Sequence, residues 1–200
     1  MNKKYVIAGV VVVILIVAGA IVLTKKDSDS STEKISSNTS EKASSDVKET
    51  KDDLGACTIV EATTIKSALG DAAASLGSAQ DTGVTSLGDG DKGQTCVYPF
   101  AEGATVSNSF YVDIASYASQ ATFDDVTQYS SDGITVGGVG DVAYFTVSEP
   151  ITSKSKEFSL NVHKDKKVIL FVISQPKDSA TFTNDTAQSA LTQIAKTAKL

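Results

Sequence analysis

The stretch Lys167–Ser174, with the sequence KVILFVIS, carries apolar side chains at successive positions. Because neighbouring side chains of a strand point to opposite faces, such a strand is covered on both faces and belongs at the centre of a sheet. Just before it, Glu157–His163 alternates apolar and polar residues, which predicts a half-buried strand. The short turn Lys164–Lys166 between the two predicts an antiparallel hairpin. The residues expected to face inward from the first strand are Phe158, Leu160 and Val162.

Further strands are predicted before this hairpin. Ser109–Tyr117 alternates apolar and polar residues, with Phe110, Val112 and Ile114 on one face. Shorter strands are predicted at Thr95–Phe100, Ile134–Val136 and Val142–Val147. The segment Asp71–Gly93 is rich in small and polar residues and predicts mainly loop, with a helical turn around Ala72–Leu76.

Three helices are predicted around these strands. Thr58 and Glu61 have the spacing of a capping box, and Gly70 suits the residue after a helix end. Ser119–Tyr129 predicts a short helix, and Asn184–Lys199 is amphipathic. The fold class expected from this order is α+β, an antiparallel β-sheet packed with N- and C-terminal helices.

Residues Val6–Leu23 form an uninterrupted run of apolar or small residues that is long enough to cover most of a bilayer. Two interpretations are open. One is a retained signal-anchor helix, which the apolar continuation Ile21–Leu23 favours. The other is a cleaved signal peptide, because Ala18–Ala20 resembles a cleavage site. We expect retention, and therefore one transmembrane helix before the folded domain.

Between the apolar run and the domain, residues Thr24–Asp53 are almost all Ser, Thr, Asp, Glu or Lys. Such a composition buries too little apolar area to offset chain entropy, which predicts a disordered polar stalk. The expected organisation is a cytoplasmic tail (1–5), a transmembrane signal-anchor helix (6–23), the stalk (24–53) and an extracytoplasmic domain (54–200). The expected localisation is the cell membrane, single-pass, with the N-terminus inside and the domain outside.

Cys57 and Cys96 are the only cysteines. In an extracytoplasmic domain an even pair predicts a disulfide, and two free buried thiols are the alternative. All 18 basic residues are lysines, and the net charge is -6. Because arginine is the preferred side chain for bidentate phosphate recognition, this composition argues against nucleic acid as a partner.

Several of these features occur together in known proteins. They are the early cysteine, the G-x-x-C-x-Y strand Gly93–Tyr98, the GVGD-x-A-Y segment Gly138–Tyr144 and the C-terminal helix. In this combination the chain resembles a family of cell-envelope lipoprotein domains of unknown function, mostly from Gram-positive bacteria. The resemblance covers residues 57–200 and implies an antiparallel α/β sandwich like the PsbP-type fold. It supplies no catalytic residues, and this chain lacks the lipidated cysteine.

Two motifs invite a cofactor or metal interpretation. Gly138, Gly140 and Asp141 lie in a G-x-G-x-x-A match, but a dinucleotide site needs a helix after it and the following residues predict a strand. A structural turn that requires glycine is the preferred interpretation. Asp89–Gly93 begins like a calcium loop without its later ligands, so a solvated acidic turn is preferred. We predict no cofactor, no metal and no catalytic residues.

The remaining chemical candidates are weak. His163 is the only histidine, and its place in the alternating strand predicts an exposed surface position. Asp124 and Asp125 are adjacent, so they do not face each other on a helix. The expected function is a non-enzymatic binding or sensory module, with an envelope protein or small molecule as ligand. Two interpretations are open for Tyr98, Tyr111, Tyr117 and Tyr129, which are the lining of a groove and packing in the core or at its rim. The alternatives are an envelope enzyme with a dispersed acidic site and a structural component of an envelope complex.

Overall fold

The computed structural model describes residues 53–128, 133–150 and 154–200. The predicted cytoplasmic tail, transmembrane helix and stalk, apart from Asp53, lie outside these ranges. No helix within the described ranges is long and apolar enough to cross a membrane.

The described residues contain three α-helices and eight strands. The helices are α1 (Ala62–Leu69), α2 (Gln120–Thr127) and α3 (Asn184–Thr197). The strands are β1 (Gln80–Asp81), β2 (Thr85–Gly88), β3 (Asp91–Pro99), β4 (Ser109–Ser116), β5 (Ile134–Thr135), β6 (Val142–Ser148), β7 (Ser155–Lys164) and β8 (Lys167–Pro176). Short 3₁₀ turns span Gly70–Ala73 and Val106–Asn108. The α+β class expected from the sequence is confirmed.

The strand with the sequence KVILFVIS lies at the centre of the sheet, as predicted. The sheet order is β1-β3-β4-β8-β7-β6-β5, β2 pairs with β3 as well, and every pairing is antiparallel. Phe171 of β8 lies between Val112 of β4 and Leu160 of β7. The β7–β8 turn at Asp165 and Lys166 has positive φ at both residues, the backbone that a two-residue hairpin favours.

One face of this sheet packs against α1 and α3 and forms the core. The two helices contact each other, and α3 also contacts β7 and β8. The inward residues predicted for β4 and β7 are almost completely buried, which confirms their alternation. Helix α3 begins with a capping box between Thr183 and Thr186. It buries Ala187, Leu191 and Ile194, whereas Ala198, at the end of the same apolar stripe, is the C-cap and is only partly buried.

Two local predictions were wrong. Thr58 does not cap α1, because its backbone N–H bonds to Gly55 in a separate turn and the helix begins at Ala62 after Glu61. The segment predicted as loop between residues 71 and 93 contains β1, β2 and the start of β3. Strands β1 and β2 are exposed throughout, so no burial pattern marks them in the sequence.

The predicted disulfide between Cys57 and Cys96 is present and joins the segment that enters the domain to β3. Two buried side chains of β3 support the same attachment. The Gln94 Oε1 atom accepts from the backbone N–H of Leu54 at 2.9 Å, and the Tyr98 hydroxyl donates to the Cys57 carbonyl at 3.0 Å. The entry segment is therefore fixed covalently and by hydrogen bonds.

The turn that contains Gly138, Gly140 and Asp141 leads into β6. Both glycines have positive φ, +76° and +56°. The Asp141 backbone N–H donates to the carbonyl of His163 at 2.9 Å, and its carboxylate accepts from Lys164 Nζ at 3.0 Å. Because a strand follows this segment, no helix N-terminus is placed to bind a pyrophosphate here.

Candidate functional site

The side of the sheet opposite α1 and α3 carries most of the polar side chains of the strands. We call it the polar face. Because side chains alternate along each strand, its members are fixed by the register. The members used below are Thr95, Tyr111, Asp113, Tyr144, Glu157, Asn161, His163 and Ser174.

The strand register arranges these residues in rows across the sheet. One row runs from Asp113 through Leu170 and Asn161 to Tyr144. A second row, four residues away along the strands, joins Ser174 to Glu157. Ser174 is fully buried, and the 3₁₀ turn Val106–Asn108 contacts β7 and β8.

Helix α2 borders the opposite end of the polar face. Its N-cap is Ser119, whose side chain accepts from the backbone N–H of Thr122. The Phe123 ring lies 6.0 Å from the Tyr117 ring and 5.8 Å from the His163 ring, between ring centroids. These aromatic contacts hold the helix against the sheet.

The expectation that His163 is an exposed surface residue was wrong. Its side chain points to the polar face, as the alternation requires, but only 7% of the residue is exposed. Phe123 and Tyr144 both contact its ring edge to face. Burial lowers the pKa of His163 below its ordinary value, because desolvation disfavours the charged imidazolium.

Among the described residues, three buried side-chain polar atoms have no hydrogen-bond partner, and all three lie on the polar face. They are Asn161 Oδ1, His163 Nε2 and Ser174 Oγ. A buried polar atom without a partner costs about 1–3 kcal/mol, so native proteins contain few of them. Their concentration on two neighbouring strands marks this face as the place where local stability is not optimised.

Carboxylates on the same face are shielded from water. Burial raises the pKa of Asp113, although the Thr95 hydroxyl, which donates to its carboxylate at 2.9 Å, acts in the opposite direction. Burial also raises the pKa of Glu157. The pKa of Tyr111 is raised by burial first and then by the negative charges of Glu157 and Asp113.

Among the described strands, no lysine lies at a polar-face position. Lys156 lies on the same face of β7 as the core residue Phe158, and its Nζ atom is 5.0 Å from the centre of that ring. The other strand lysines also lie at positions that alternate with the polar face. These others are Lys92, Lys164 and Lys167. The polar face therefore carries partly buried carboxylates, and none of the lysines of the described strands lies beside them.

Asp113 and Glu157 do not form a close carboxylate pair. Asp113 and Glu157 are two strands and four residues apart, which puts their Cα atoms roughly 16 Å from each other. Glycosidase carboxylates lie about 5–9.5 Å apart. Asp124 and Asp125 are exposed on α2 and accept from different glutamines, in agreement with the prediction that they do not face each other.

The four candidate groove tyrosines do not all lie on one face, and Tyr98 follows the alternative of core packing. Tyr98 lies on the core side of β3, and Tyr129 lies outside the described residues. Tyr111 lies on the polar face and Tyr117 directly follows β4 on the same side. Tyr144 was not singled out as a candidate from the sequence. The alternation of β6 places its side chain on the polar face, because the neighbouring Phe145 is buried in the core.

A small cavity of about 100 Å³ lies elsewhere, where the entry segment meets the C-terminus. It is lined by residues that include Leu54, Ile114, Ile169 and Leu200. Sites for small organic ligands are typically about 300–1,000 Å³, so this cavity is too small for one.

No protein-family model and no curated protein matches this chain. The resemblance to envelope lipoprotein domains therefore stays a prediction.

Proposed function

We propose that this protein is a membrane-anchored, extracytoplasmic binding or sensory module of the cell envelope, and that its ligand binds the polar face. The observation that carries the proposal is the set of three buried, unpartnered atoms at Asn161, His163 and Ser174. A ligand that supplies hydrogen-bond partners there would recover free energy that the domain alone gives up.

The tether supports the sensory part of the proposal. The apolar run at residues 6–23 and the polar segment after it predict a domain held near a membrane surface. The disulfide between Cys57 and Cys96 suits an oxidising compartment. A protease added to intact cells should therefore digest the domain, and resistance to digestion until the cells are lysed would contradict the proposed orientation.

Ligand binding is tested by thermal unfolding of the full chain in mild detergent. The panel contains short peptides, amines, sugars, phosphates and small acids. The test variant is Asn161→Val/Ser174→Ala, which removes two of the unpartnered atoms. The matched control is Ser189→Ala/Gln193→Ala, which changes exposed residues of α3 on the other side of the sheet.

The proposal predicts at least one compound that raises the Tm of the wild type and the control by several degrees, and raises that of the test variant much less. Stabilisation follows from mass action, because the ligand binds the folded state only. Equal stabilisation of both variants, or no stabilisation by any member of the panel, would refute a ligand site on this face.

A further inference from the structure

We propose that the ligand of the polar face is a basic peptide in extended conformation, with two lysine ammonium groups that pair with Asp113 and Glu157. This inference rests on the proposed function and specifies its ligand class. It follows from the charge, the hydrogen-bonding character and the spacing of the groups on the face.

The polar face carries negatively charged side chains. Asp113 and Glu157 are carboxylates in partly buried positions, and no lysine of the described strands points to their side of the sheet. A buried carboxylate without a cation is costly, and an ammonium group from a ligand would supply the missing partner. An anionic ligand would be repelled by the same two groups.

Two of the three unpartnered atoms of the polar face are oxygens, which accept hydrogen bonds. Asn161 Oδ1 is an acceptor without a donor, in the same row as Asp113. Ser174 Oγ is also unpartnered and is fully buried beside Glu157, and His163 Nε2 is unpartnered in a residue that is 7% exposed. Backbone N–H groups of an extended peptide are donors at regular intervals, so they suit the acceptor oxygens of Asn161 and Ser174.

The two carboxylates are widely spaced across the sheet. The Cα atoms of Asp113 and Glu157 are roughly 16 Å apart across β4, β8 and β7. In an extended peptide, residues i and i+4 are on the same side and about 13 Å apart, and the lysine side chains cover the difference. Residues i and i+1 point to opposite sides and cannot reach both carboxylates.

The experiment measures binding of a synthetic pentapeptide, Lys-Thr-Val-Thr-Lys with blocked ends, to the full chain in mild detergent at low salt. The peptide controls are Lys-Lys-Thr-Val-Thr, which keeps the charge and changes the spacing, and Glu-Thr-Val-Thr-Glu, which reverses the charge. Spermidine tests whether a small polyamine suffices. The protein variants are Asp113→Asn and Glu157→Gln, with Asp185→Asn on α3 as the matched control.

We expect the first peptide to bind best and each polar-face variant to raise its Kd about tenfold, since a charge-assisted hydrogen bond is lost. Asp185→Asn should leave the Kd unchanged. The isosteric variants keep the fold, which a chemical unfolding curve of each variant checks directly.

The inference is overturned if the spacing control or the acidic peptide binds as well as the first peptide, or if Asp113→Asn has no effect. If spermidine binds and the peptide does not, the ligand is a small polyamine and the proposed peptide is wrong. If the thermal screen finds a neutral or anionic ligand that depends on Asn161 and Ser174, the proposed function stands and the basic peptide does not.

Discussion

Gly140 lies directly against His163, since a Cβ atom built at Gly140 would come within 2.7 Å of the His163 carbonyl oxygen. The Cβ atom built at Gly140 would also lie 2.6 Å from Val162 Cγ1. The glycine turn before β6 therefore allows the backbone of β7 to approach closely. This contact links a turn visible in the sequence to the strand that carries the candidate site.

Substitution of this glycine should be costly, and Gly138 offers a matched control. Both residues have positive φ, but a Cβ at Gly138 would meet only Lys196 Cε at 3.8 Å. We expect Gly138→Ala to lower the free energy of unfolding by about 1 kcal/mol, and Gly140→Ala by about 3 kcal/mol, because the second change adds a steric clash. Urea unfolding measures both values, and equal losses would contradict the role given to the close approach.

Removal of the disulfide should destabilise the domain by roughly 4 kcal/mol, because the Cys57–Cys96 bond closes a loop of 39 residues in the unfolded chain. The measurement is the urea midpoint with and without reductant. The Cys57→Ser/Cys96→Ser variant is the control, since its midpoint should not respond to reductant. An unchanged wild-type midpoint after complete reduction would show that the cross-link contributes little.

His163 should make the stability depend on pH in a defined direction. Its pKa in the folded state lies below the ordinary value of 6.5, so the unfolded chain binds the proton first as pH falls. The contribution of His163 to the free energy of unfolding is complete above pH 6.5. It is lost as the pH falls from 6.5 toward the pKa of His163 in the folded state. Comparison with His163→Gln isolates it, and parallel pH profiles for the two proteins would contradict this assignment.

Asp113 should act in the opposite direction. Because burial raises its pKa in the folded state, its contribution is most favourable below the ordinary value of 3.8 and is lost as pH rises through the raised pKa. Asp113→Asn keeps an acceptor for the Thr95 hydroxyl and removes the charge. We expect a higher Tm at pH 7 and no gain at low pH.

The control for this prediction is Glu102→Gln, which neutralises an exposed loop carboxylate. Its Tm should change little at either pH, because solvent already screens that charge. A lower Tm for Asp113→Asn at pH 7 would mean that the carboxylate stabilises the fold, and it would remove one reason to assign Asp113 to ligand binding.

The central hairpin could be predicted because its signal is local. The residues of β8 are apolar on both faces, and β7 alternates strictly, so the positions of Phe158, Leu160 and Val162 follow from strand geometry. Strands β1 and β2 gave no such signal, because all of their residues are exposed and they are held by backbone pairing to β3.

The candidate site could be predicted only in part. Alternation assigned His163 to the outer side of β7, but its burial depends on Phe123 of α2, which is 40 residues earlier in the chain and docks in three dimensions. The unpartnered atoms of Asn161 and Ser174 depend on what surrounds each side chain across the sheet. Neither property is encoded in a short window of sequence.

The C-terminus of the chain returns to the place where the domain begins, since the Lys199 backbone N–H donates to the Ile59 carbonyl at 3.0 Å and Lys199 Nζ contacts Glu61. A reporter fused after Leu200 would therefore crowd the entry segment. The exposed loop at Glu102 and Gly103 follows the far end of β3, and Pro99 at that end is five residues, or roughly 17 Å, from Gln94, which binds the entry segment. Labels for imaging or immobilisation are better inserted in that loop.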